Sequence, residues 1–149
     1  MNADPSRAWA VVDFVRTTPW AYPWLEVLHI LGLALVFGTL WLVELRLLGI
    51  VRRPDTAALA REALPWTLAG FVLSAVTGLA LFASRAGELL VNPAFQLKLA
   101  LIALAGLNAA LLHSRGPLDA SRPGTRVQAA LSLLLWAAVI AAGRWIAYV

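Results

Sequence analysis

An all-α membrane protein, a four-span up-down bundle preceded by a short helix on the bilayer surface, is the fold this sequence predicts. Three observations carry that prediction. Four apolar runs stand at 25–45, 64–83, 95–112 and 127–149. A helix rises ~1.5 Å per residue, so roughly 20 residues cross a ~30 Å hydrocarbon core, and each run has about that length. The segments between the runs are short and bear arginine. The chain is also 61% hydrophobic with a mean hydropathy of +0.78, too apolar for a soluble domain of 149 residues. Residues 1–149 are therefore read as a single integral membrane domain.

Residues 4–17 read as a helix with Asp4 as N-cap and Pro5 in the first turn. Ala8, Trp9, Val11, Val12 and Val15 supply an apolar stripe, and Asp13 and Arg16 sit three apart. This segment is too short and too charged to span, so residues 1–18 are expected to lie flat on the membrane. With Asp4, Arg7, Asp13 and Arg16 it contains no uninterrupted apolar stretch, so a cleavable signal peptide is not expected. Thr17-Thr18-Pro19 ends it, and Trp20, Tyr22 and Trp24 form an aromatic anchor at the mouth of the first span.

That span ends near Gly49. Arg52-Arg53-Pro54-Asp55 reads as a turn and an N-cap, residues 56–63 as a short interfacial helix, and Pro65-Trp66 as the opening of the second span. Ser84-Arg85-Ala86-Gly87 closes it. Asn92-Pro93 precedes the third span, Pro93 being acceptable at a helix start, and the Gly-, Pro- and Arg-rich stretch 113–126 precedes the fourth.

The formal net charge is +4 and the isoelectric point near 10.7, yet the arginines flank apolar spans. Anionic lipid, not nucleic acid, is the partner this pattern suits. The absence of cysteine excludes disulfides, thiolate metal sites and thiol nucleophiles. If the spans alternate, the face carrying the N-terminus (side A) holds Arg7, Arg16, Arg85, Lys98 and Arg144. The opposite face (side B) holds Arg46, Arg52, Arg53, Arg61, Arg115, Arg122 and Arg126, seven cations against five. The positive-inside rule places side B in the cytoplasm of a bacterial inner membrane, with both termini periplasmic.

Small residues recur every four positions: Ala34 and Gly38, Gly70, Ser74 and Gly78, Gly106 and Ala110, Ala137 and Ala141. Such rows let helix backbones approach closely, and packing inside the bundle is the expected use, with contact to another subunit or another copy as the alternative.

Ionisable groups at membrane depth are costly and mark functional sites by default. Alternating spans bring Glu26 and His29, Lys98 and Gln96, and Arg144 to side A. On side B stand Glu44, Arg46, Asn108 and His113. Glu26 is expected to pair with Arg144 or Lys98, which would lower the cost of burying all three, although both cations can also snorkel to the headgroups. An E-x-x-H pair occurs in di-iron bundles, but those need a second pair and further carboxylates that are missing here. His29, with Gly32 one turn on, would let a planar ligand approach the helix, as a haem b with one imidazole axial ligand does. The competing expectation is an interhelical hydrogen bond. His113 ends the third span, roughly 20 Å along the bundle from His29 at ~1.5 Å per residue, so one iron cannot bridge the two.

The stretches PWAYPWLEVLHILGLALVFGTLWLVELRLLG, LPWTLAGFVLSAVTGLALF and NPAFQLKLALIALAGLNAALLH resemble an uncharacterised bacterial family of small four-helix inner-membrane proteins. More distantly, the early-span histidine, the Thr-Gly-Leu step and the lysine opening a later span are similar to CopD-type copper-resistance membrane proteins. The resemblance implies a four-helix bundle with His29, Glu44, Arg46, Lys98 and His113 as positions of interest, and brings no established activity. Copper handling would favour more histidine and methionine than this chain has, since Met1 is its one methionine.

No nucleophile–base pair, phosphate-binding glycine loop or two-carboxylate site is evident, so catalysis by the chain itself is not expected. Two function classes remain. One is a haem- or small-ligand-binding electron-transfer subunit with a pocket formed by His29, Gly32, Lys98 and Arg144. The other is a non-catalytic structural or assembly subunit of a membrane complex.

Overall fold

The computed structural model describes residues 5–53, 55–114, 116 and 118–149. Six helices follow in order: α1 (Pro5–Thr17), α2 (Ala21–Leu47), α3 (Thr56–Ser84), α4 (Ala86–Leu89), α5 (Pro93–His113) and α6 (Pro123–Trp145). No strand occurs among the described residues, and α2, α3, α5 and α6 are each long and apolar enough to cross a membrane. The protein is thus an all-helical, multi-pass membrane protein. Asp4, Pro54 and Arg115, and the side chains of Arg7, Ala8, Trp9 and Val11, lie outside the described residues.

The helix boundaries follow local chemistry. Asp55 caps α3 by accepting a hydrogen bond from the Ala57 amide at 3.0 Å, and Asn92 caps α5 by accepting from Phe95 at 3.0 Å. Pro93 stands in the first turn of α5 and Pro123 in that of α6, where a missing amide hydrogen costs nothing. Gly49 ends the first hairpin arm with φ +82°, a left-handed conformation suited to glycine.

Several boundaries differ from expectation: α2 begins at Ala21, four residues before the expected 25, and α4 (Ala86–Leu89) is not among the expected elements. Residues 56–84 form one helix, with Pro65 inside it, in place of an interfacial helix followed by a span. One missing amide is a small loss in a 29-residue helix, and membrane helices tolerate interior proline because neighbouring groups re-satisfy the freed carbonyl. The last span begins four residues earlier than 127 and ends at Trp145, with turns rather than helix from 146 to 148. The Pro123 start sets that register.

The bundle is built from two antiparallel hairpins, α2–α3 and α5–α6, joined chiefly through α2 against α6. α1 packs on α3 and α2, with Val15 buried. The interior is made of small side chains. Ala63, Ala94, Ala105, Ala129 and Ala142 are buried, and the largest fully buried side chains are Leu47 and Val139. Large apolar residues such as Ile30, Leu79, Leu104 and Leu134 are exposed instead. This is the arrangement that lipid favours: acyl chains are as apolar as leucine, so close backbone approach, not exclusion of oily side chains, selects the interior.

Of the small-residue rows, only Gly70, Ser74 and Gly78 pack within the bundle. A Cβ at Gly70 would stand 2.8 Å from the Gly32 carbonyl oxygen, so α2 and α3 touch backbone to backbone. A Cβ at Gly38 or Gly106 would meet nothing within 4 Å, and Ala34, Ala110, Ala137 and Ala141 are exposed. The expected internal packing of those three rows is therefore not found.

Candidate functional site

Towards side A a cavity of about 730 Å³ lies between the two hairpins. That volume lies in the ~300–1,000 Å³ range of small-molecule and cofactor sites. Glu26, His29, Lys98 and Arg144 all line it, the grouping expected from alternating spans. Between the hairpins, the Phe82 and Phe95 rings stack at 5.4 Å with their planes 4° apart and close the side where α3 faces α5.

His29 sits inside α2 with its ring against Gly78 of α3, where an added Cβ would stand 3.0 Å from Cε1. Its Nδ1 lies 2.9 Å from the Ser74 carbonyl oxygen and 3.1 Å from Thr77 Oγ1. A carbonyl only accepts, so Nδ1 carries the proton and donates it. The Thr77 hydroxyl gives its own proton to the Leu73 carbonyl at 2.7 Å, which leaves its lone pairs for the same Nδ1–H. These bonds fix the tautomer: in the neutral ring, Nε2 holds the lone pair. Nε2 has no hydrogen-bond partner among the described residues. The interhelical hydrogen bond expected as an alternative to ligation is present, and it is also the arrangement that prepares a histidine to ligate.

Lys98, one turn into α5, lies over Gly143 of α6, where an added Cβ would stand 3.4 Å from Nζ. Among the described residues its ammonium makes no hydrogen bond or ion pair. Arg144 donates to Tyr148 Oη at 2.7 Å and lies 4.9 Å from that ring's centroid. Glu26 is exposed at the mouth and joins neither cation within 4 Å, so the expected ion pair is absent. Arg85, at the same mouth, pairs with Glu88 at 2.6 Å; the Glu88 carboxylate first and Tyr22 second push its guanidinium above its ordinary value. Asn92 ties the start of α5 to the far end of α6 by donating to the carbonyls of Ile146 and Val149.

Gly32 does not line the cavity. A Cβ there would lie 2.5 Å from Ser74 Oγ and 2.9 Å from the Gly70 carbonyl oxygen, so α3 fills the room a planar ligand was expected to use. The room beside His29 is bordered by Gly78, which lines the cavity with it. Ser74 and Thr77, readable as residues bonding to their own helix, also orient the histidine across to α2.

Side B is organised differently. Glu44 is buried against α6 with Ser132 as its hydrogen-bonding side chain. Arg46 is half-buried at the end of α2. Asn108 is buried and donates to the Gln128 carbonyl at 3.0 Å, joining α5 to α6. His113 is exposed and bonds through Nδ1 to the Ala109 carbonyl of its own helix at 2.8 Å. None of the four reaches the side A cavity.

Residues 18–149 match a family of unknown function, DUF6644, and the chain belongs to that family. No curated protein and no solved structure matches the chain.

Proposed function

We propose that this member of the DUF6644 family is an electron-transfer subunit that holds a haem b in the side A cavity, with His29 Nε2 as the axial ligand. The observation that carries this reading is the tautomer of His29: its Nδ1–H is donated to Ser74 across the helix interface, and Nε2 is left with a lone pair beside a 730 Å³ cavity. An imidazole anchored in this way is oriented and made more basic for ligation. Lys98 supports the reading as a cation in the same cavity with no ion-pair partner among the described residues, suited to an acidic substituent of the ligand, and Arg144 also lines the cavity. The arginine bias of its loops supports a bacterial inner membrane with side B in the cytoplasm.

The test is an optical spectrum of protein purified from haem-replete cells. A Soret band is expected in the parent and in His113→Ala, and its loss in His29→Ala. A parent that neither carries haem nor binds it on titration overturns the reading.

A second reading, a non-catalytic assembly subunit, is favoured by the exposed rows Ala34/Gly38, Gly106/Ala110 and Ala137/Ala141. Under it, bulky substitution at Gly106 would release a co-purifying membrane partner while leaving the fold intact.

A further inference from the structure

A second polar site lies on side B. Glu44 stands within one turn of the end of α2, is only 4% exposed, and faces α6. Its Oε2 is buried with no hydrogen-bond partner among the described residues. Ser132, 5% exposed, is hydrogen-bonded to its carboxyl group. No lysine or arginine among the described residues pairs with it.

An ionised carboxylate has acceptors only, and to leave one unpaired in the interior of a membrane bundle is among the costliest arrangements a fold can adopt. A positive charge on the carboxyl itself removes that cost. We propose that Glu44 and Ser132 form a binding site for one small monovalent cation, a proton or a sodium ion. As a proton site, Oε2 becomes a hydroxyl and the group is neutral. As a sodium site, the carboxylate and the Ser132 hydroxyl supply oxygen ligands, the donors hard cations take. This site is separate from the side A cavity, which Glu44 does not line. Fifteen residues along α2 (44 − 29) place it about 22 Å from His29, at ~1.5 Å per residue.

The full-length protein in detergent is treated at neutral pH with dicyclohexylcarbodiimide, in potassium and in sodium salts, and modified peptides are read by mass spectrometry. This apolar reagent adds a protonated carboxyl across its C=N bond: the carboxyl oxygen bonds to the central carbon and the proton goes to nitrogen. Modification at Glu44 is expected, and its loss in Glu44→Gln. Equal modification in both salts identifies the proton; suppression by sodium identifies sodium. Glu44→Gln, neutral and of the same shape, is expected to keep the parent melting temperature in potassium. Glu44 unmodified in both salts, or a Glu44→Gln variant that melts well below the parent in both, overturns the proposal.

Discussion

Gly32 is the position where a single atom decides the packing of the first hairpin. A methyl group there would meet Ser74 Oγ at 2.5 Å and backbone atoms of Gly70 and Ser74 at 2.9 Å, and backbone cannot step aside as a flexible side chain can. Gly32→Ala is therefore expected to lower the melting temperature in detergent, with an overpacking cost of about 1–3 kcal/mol. Gly106→Ala is the control. Its Cβ meets nothing within 4 Å, so it should be neutral or stabilise by about 0.5–1 kcal/mol through helix propensity. Glu26 gives the opposite lesson to Gly32. Its height beside Lys98 and Arg144 suggests an ion pair, but it is exposed and joins no cation within 4 Å among the described residues. Glu26→Gln should melt with the parent, and a large drop in melting temperature would show that the carboxylate is paired after all.

At the scale of elements, the start of α3 was legible because its cap is local, whereas α2 and α6, whose starts carry no side-chain cap, begin four residues before expectation. Asp55 and Asn92 each bond an amide within three residues, so sequence alone identifies them. Asp55→Ala is expected to cost about 1 kcal/mol and to speed amide exchange over the first turn of α3, without altering the side A cavity. The helix interior was less legible. Pro65 looks like a start signal, yet α3 runs through it from Thr56 to Ser84. A proline removes one local bond, whereas contacts to α2 run along the length of α3, among them Thr39 to Thr67 at 2.7 Å and Gly32 to Gly70. Those contacts are not local in sequence, so no window around Pro65 records them.

On the scale of the molecule, two hairpins meet along α2 and α6, and residues of both line the cavity. In the orientation proposed from the arginine bias, the cavity lies on the periplasmic side. The cysteine-free sequence makes the orientation directly testable. Asp119→Cys, in the loop between α5 and α6, should resist an impermeant thiol reagent in intact cells and react once the membrane is permeabilised. Labelling from the periplasm would invert the topology and place the cavity mouth in the cytoplasm.

The sequence by itself determined the membrane class, the number of spans and the height of each polar residue, because length and apolar content are set by the bilayer and height follows from the rise along a helix. Those heights alone collected Glu26, His29, Lys98 and Arg144 at one end, where they line one cavity. Only the tertiary structure decided which way each side chain faces. It turned Gly32 into α3 instead of the cavity, pointed His29 Nδ1 at Ser74, left Glu26 without an ion pair, and buried Glu44 against Ser132. The reason lies in the solvent. Lipid is as apolar as the bundle interior, so the span sequences are hydrophobic all round and carry little record of which face is inside. Rotation about each helix axis is fixed instead by backbone approach and by a few polar contacts between residues some 45 positions apart, such as His29 and Ser74.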